Sequence, residues 1–107
     1  YYPQPRTYGR VMGAEEFEHM KTSGRLSSGK NPTPVFDAPP HMLTKLLAMS
    51  TDERKNFFAQ IGVEGGVHLV VFKTRRKPVN DIPIPQSNGL LEQKFPKGMK
   101  VEVVGVY

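Results

Sequence analysis

Apolar and polar positions along the chain fall into short blocks, and the spacing within each block predicts an order of elements. Tyr8-Gly9-Arg10-Val11-Met12 has the residues of a short first strand. The proline-broken opening before it, Tyr1-Tyr2-Pro3-Gln4-Pro5, predicts a linker over residues 1–7. Gly13 introduces a helix over Ala14 to Ser23: Glu15 and Glu16 sit in the first turn and Lys21 in the last, matching the helix dipole, while Phe17 and Met20 share the inward face and Gly24 stops it.

Ser27 to Pro40 is Ser, Gly, Asn, Thr and Pro around a small apolar island, Val35-Phe36, which predicts a loop holding one short strand. Pro39-Pro40 opens a second helix with Leu43, Leu46 and Leu47 at helical spacing. Ser50-Thr51-Asp52-Glu53 matches a capping box and starts a third helix that buries Phe57, Phe58 or Ile61 and ends at Gly62, so the two helices form a bent pair. Gly62, Gly65 and Gly66 form the turn into Val67-His68-Leu69-Val70-Val71-Phe72, apolar on both faces as a central strand is. Leu90 to Phe95 resumes strand-like residues, and Met99 to Val103 alternates with period two, a strand with one face in solvent. The order strand, helix, short strand, two helices, three strands predicts an α+β fold with a small, mostly antiparallel sheet.

At 107 residues the chain has room for one domain, and no apolar run approaches the roughly 18 residues of a membrane span. The absence of cysteine excludes disulfides, thiolate metal sites and a cysteine nucleophile. The first residue is Tyr1, and no signal-peptide core is present, which suggests a piece of a longer chain.

A net charge of +5 favours anionic partners, and it is uneven: from Val67 onward seven basic residues face three acids. The run Lys73, Arg75, Arg76 and Lys77 is a solvated strand end or a docking patch for an anionic surface. His19, His41 and His68 are far apart in sequence and lack metal-ligand spacing, so no metal site is expected, and His68 is first of all a strand residue beside the core. No Walker loop, G-x-G-x-x-G or G-x-S-x-G occurs. Glu92, between Leu90-Leu91 and Phe95, either points outward from an alternating strand or is held where its charge has a task.

Several segments, taken in order, resemble the small ADP-ribosyltransferase toxin domains at the C-termini of Rhs and type VI secretion effectors, in particular the TreTu-like toxins that modify elongation factor Tu. These are Tyr8 to Phe17 with Thr22 to Leu26, Thr33 to Asp37, His68 to Phe72, Gly89 to Phe95 and Val101 to Val104. The resemblance implies a split β-sheet core with two or three short helices. It also implies NAD as substrate, Arg10 and Thr33 as cofactor-binding residues and Glu92 as the catalytic carboxylate. Gly9 between Tyr8 and Arg10, and the lack of a Ser-Thr-Ser triplet, depart from the family pattern. Further implications are secretion as part of a larger effector, action in the recipient cytoplasm during interbacterial competition, and a cognate immunity protein, which the basic charge predicts to be acidic.

The residue types suit the chemistry. Cleavage of the nicotinamide–ribose bond passes through an oxocarbenium-like state that a carboxylate stabilises, and an arginine fork grips a pyrophosphate. Two other functions fit size and charge. One is a small basic ribonuclease toxin with Glu92 as base, a histidine as acid and Arg75 or Arg76 on the phosphate. The other is a non-enzymatic nucleic-acid or protein-binding module using the Lys73 to Lys77 patch, although the sequence interleaves no aromatic residues with these charges.

Overall fold

Residues 1–26, 33–37, 40–60, 68–80, 84–85 and 91–107 are described by a computed structural model, in which β1 (Arg6–Met12) runs through Gly13 into α1 (Ala14–Ser23). The helix has the predicted bounds. It ends where Gly24 takes φ 69°, a left-handed conformation suited to glycine, and donates its N–H to the Met20 carbonyl at 2.7 Å. Then come β2 (Thr33–Asp37), α2 (Pro40–Ala48), α3 (Thr51–Gln60), β3 (His68–Thr74), the two-residue β4 (Ile84–Pro85), β5 (Leu91–Phe95) and β6 (Glu102–Val106). The capping box forms as the sequence predicts: the Ser50 N–H donates to Glu53 Oε1 at 3.2 Å, and the Glu53 N–H donates to Ser50 Oγ at 3.3 Å.

The strands lie in the order β4-β5-β2-β1-β3-β6, and each neighbouring pair is antiparallel. The fold is therefore α+β, as expected. Side-chain alternation divides the core between the two faces of the sheet. On one face Tyr8, Met12, Val35, Val70, Phe72 and Phe95 pack with Met20, Leu26 and Met99; on the other, Val11, Phe36, Leu69 and Val71 pack with Leu46 of α2 and Phe58 of α3. β3 has both neighbours and both faces covered, which explains its unbroken apolar run.

Four expectations are corrected. Residues 1–7 are not a free linker: Arg6 and Thr7 belong to β1, and the Tyr2 N–H donates to the Arg75 carbonyl at 2.6 Å while Arg75 Nε donates back to the Tyr2 carbonyl at 3.0 Å. Four strands follow the helix pair rather than three, because the prolines between Lys77 and Pro85 did not prevent a short pairing of β4 with β5. The last strand spans Glu102–Val106, not Met99 to Val103. A turn through Gly98, φ 79°, redirects Met99 to Val101 toward Gly24 to Leu26: the Leu26 N–H donates to the Met99 carbonyl at 2.9 Å, and the Val101 N–H to the Gly24 carbonyl at 3.1 Å. Finally, Leu47 is 63% exposed, because a nine-residue helix on one sheet face buries a single stripe and Leu46 occupies it. The side chain of Leu43, together with Ile61, Gly62, Gly65, Gly66 and Val67, lies outside the described residues.

Candidate functional site

Position 34 decides the local shape of the sheet. Of the four β2–β5 register pairs, Pro34↔Lys94 and Phe36↔Glu92 are those whose β5 backbone groups turn outward to Asn80, so the backbone polar groups of residue 34 turn the other way, toward β1. Proline has no N–H to offer there, so the ladder to β1 cannot continue. It consists of two register pairs, Tyr8↔Asp37 and Gly9↔Phe36, against seven between β1 and β3. The sheet is one connected ladder, not two separate pieces, but it is nearly divided between β2 and β1.

Arg10 occupies this division. It shares a face of β1 with the buried Tyr8 and Met12, so its charge stands beside the core and needs partners. Nη1 donates to the Pro34 carbonyl at 2.6 Å, supplying the donor that the interrupted ladder lacks. Nε donates to Glu16 Oε1 at 2.6 Å and Nη2 to Glu16 Oε2 at 3.3 Å, so one edge of the guanidinium holds the carboxylate at two points while Nη1 serves Pro34. The two side chains are 13% and 20% exposed. Glu16 is predicted from sequence only as a first-turn acid. Its role toward Arg10 follows from the turn at Gly13, which folds α1 back over β1.

Thr33 is fully buried at the start of β2, opposite Phe95 and next to the carbonyl that Arg10 grips. Glu92 is half-buried and lies opposite Phe36, which in turn lies opposite Gly9. That row belongs to the face covered by α2 and α3, so Arg10 and Thr33 share one face of the sheet and Glu92 emerges on the other. Gln93 is buried on the Arg10 face. Glu92 and Arg10 are separated by β2 alone, two strand spacings or about 10 Å at the backbone.

Asn80, not singled out in the sequence, fixes the outer side of β5. Its Oδ1 accepts the Lys94 N–H at 2.7 Å and its Nδ2 donates to the Glu92 carbonyl at 3.5 Å, holding the backbone at the candidate carboxylate. Near the opposite end of β1, burial raises the Asp37 carboxyl above the usual carboxylate range, with Arg6 pulling it back. The Tyr8 hydroxyl is pushed up to about 12 by burial, then by Tyr2 and Asp37, and has no hydrogen-bond partner among the described residues.

His68 stacks on Phe17 with ring centroids 4.1 Å apart, a packing role, whereas His19 and His41 are exposed on α1 and α2. Among the described residues no three metal-ligating side chains converge, and no helix is long and apolar enough to cross a membrane. In the basic run, Lys73 Nζ lies 3.5 Å from Glu102 Oε1, while Arg75, Arg76 and Lys77 are exposed. Comparison with protein-family models, curated proteins and solved structures finds no match to this chain.

Proposed function

We propose that the chain is a mono-ADP-ribosyltransferase toxin domain that transfers ADP-ribose from NAD to a macromolecule of a target cell. The observation that carries this reading is the guanidinium of Arg10, placed where β1 and β2 part and already holding a carboxylate at two points through Nε and Nη2. The Glu16 carboxylate occupies the Nε and Nη2 donors that a pyrophosphate would take, so binding NAD there requires Glu16 to swing away to solvent or another partner. The resemblance of the ordered segments to the toxin family, with its split sheet, supports the same assignment.

In this mechanism Arg10 holds the pyrophosphate, and Thr33, fully buried beside it at the start of β2, is the hydroxyl the resemblance assigns to the nicotinamide-ribose end. Glu92 lies on the far face, about 10 Å away at the backbone with β2 between, so bringing one dinucleotide to both residues requires β1 and β2 to part further. The bond between ribose C1′ and the nicotinamide nitrogen breaks, and nicotinamide leaves with the electron pair. The Glu92 carboxylate stabilises the positive charge that grows on the ribose until the acceptor attacks C1′. Arg10 contributes position rather than bond chemistry. Elongation factor Tu is the first acceptor to examine, and an acidic immunity protein would protect a producer that exports the domain within a larger effector.

The test incubates the protein with NAD labelled in the adenylate part and a bacterial lysate. Transfer of label to a protein band, lost in Glu92→Ala and Arg10→Ala variants whose circular dichroism is unchanged, is the expected result. Intact NAD and unlabelled macromolecules after incubation with the folded protein would overturn the assignment.

A further inference from the structure

The end of the sheet away from Met12 carries a surface that the proposed NAD chemistry does not use. Here the register Arg6↔Thr74 closes the β1–β3 ladder, and the turn through Gly98 brings Lys97 and Lys100 next to Arg25 and Arg76. These four cations line a cavity of about 540 Å³ together with Thr74 and Tyr1, and among the described residues no carboxylate lines it. Arg25 is anchored there by Nη1 donating to the Gly98 carbonyl at 2.9 Å. Among the described residues, none of the four cations forms an ion pair, although Arg10, Lys21 and Lys73 do. Like charges gathered around one hollow repel one another, and an anion relieves that repulsion.

The charge continues past the cavity. Tyr2 is tied by its backbone to Arg75, the neighbour of Arg76, and carries the Arg6 guanidinium 3.9 Å from its ring centroid and Lys77 Nζ at 5.5 Å. Arg6 and Lys77 at the Tyr2 ring thus add to the four cations of the cavity, and a basic surface wider than the cavity suits a chain of phosphates better than a single small anion. Tyr1, 81% exposed, offers an aromatic face beside the cavity. The fold thus brings together in space the aromatic and basic residues that the sequence does not interleave. An acidic polypeptide would match the charge but would leave the aromatic face unused.

We infer that this end of the sheet is a binding site for the phosphate backbone of single-stranded nucleic acid. The inference is independent of ADP-ribosyl transfer. Its test is fluorescence anisotropy of a 20-nucleotide mixed-sequence single-stranded RNA titrated with the full chain over a range of salt. Four neutralised phosphates give a slope of log affinity on log salt near −3, from about −0.7 per contact. The double variant Arg76→Glu/Lys97→Glu weakens binding at least tenfold and roughly halves the slope. Lys45→Glu/Lys55→Glu, which makes the same change in net charge on α2 and α3, leaves affinity within about threefold. All four substituted side chains are exposed, and circular dichroism and the urea midpoint check each fold. The site assignment fails if the wild-type chain does not bind RNA, if both double variants lose affinity equally, or if polyglutamate displaces the RNA more effectively than unlabelled RNA of the same length.

Discussion

Arg10 and Glu16, six residues apart and on different elements, form a two-point ion pair: Nε to Oε1 at 2.6 Å and Nη2 to Oε2 at 3.3 Å. The pair ties the first turn of α1 to the point where β1 leaves β2, with Pro34 as third partner. Arg10→Ala strips the Pro34 carbonyl and the Glu16 carboxylate of their donor and should cost about 1.5–3 kcal/mol in urea unfolding. Arg10→Lys keeps the charge, recovers part of that stability and loses the fork. Under the transferase proposal Arg10→Lys therefore raises the KM for NAD at least tenfold while the unfolding midpoint moves less than for Arg10→Ala. A KM unchanged in the lysine variant would remove Arg10 from NAD binding.

Replacing Pro34 restores an N–H on the side of β2 that faces β1. Pro34→Ala is expected to lengthen the β1–β2 ladder, protect the amide gained at position 34 in hydrogen exchange and, under the transferase proposal, lower NAD turnover as the opening narrows. Rapid exchange at that amide would show that something other than the missing donor parts the strands.

Gly9 is required by the contact it makes. A Cβ there would lie 2.8 Å from two ring atoms of Phe36, a buried residue between β2 and the helix pair, and 3.4 Å from Leu69. Gly9→Ala should cost about 1–3 kcal/mol from overpacking. A smaller partner, Phe36→Leu, should recover part of the loss in a double-mutant cycle.

Tyr8 gives the fold an alkaline limit. Its hydroxyl ordinarily ionises near 10.0 and is pushed up to about 12 by burial, so the folded state holds this proton more tightly than the unfolded chain does. The stabilisation is complete below pH 10 and lost as pH rises toward 12. Tyr8→Phe removes this loss, and because the hydroxyl has no partner among the described residues it should also add about 1 kcal/mol at neutral pH. Urea midpoints of both proteins between pH 7 and 12 check both statements.

Ser50 and Glu53 close the start of α3 reciprocally. Ser50→Ala should lower stability by about 1 kcal/mol, read as a drop in thermal midpoint.

The features written in local chemistry were legible in the sequence. The dipole-matched α1 with its glycine stop, the capping box and the two-faced β3 all appear where their residues predict them, because neighbours in sequence decide each one. What local pattern could not supply was partner choice. The alternation of Met99 to Val103 is real, but Met99 and Val101 spend it on the α1 side of the core, paired with a segment some 75 residues earlier through the Arg25↔Lys100 bridge. At the candidate site Arg10 and Thr33 share a face, whereas the row Glu92–Phe36–Gly9 puts the carboxylate on the other. A one-dimensional motif carries the order of such residues but not the parity of the strands that bear them. The basic cavity was legible only in half: Arg76 belongs to a visible charge run, while Arg25, Lys97 and Lys100 reach it through a long-range turn.

The tie between Gly24 to Leu26 and Met99 to Val101 also bears on when the molecule can fold. Phe95 and Met99 belong to the same buried cluster as Tyr8 and Met20, and Tyr107 exchanges two backbone hydrogen bonds of 2.9 Å with Leu69. During synthesis β1 and α1 emerge well before these partners, and their apolar sides stay uncovered until residues 95–107 have followed. Synthesis truncated short of Phe95 would therefore yield an open, protease-sensitive chain. Acquisition of the native state, and of any activity that depends on it, waits until residues 95–107 are in place.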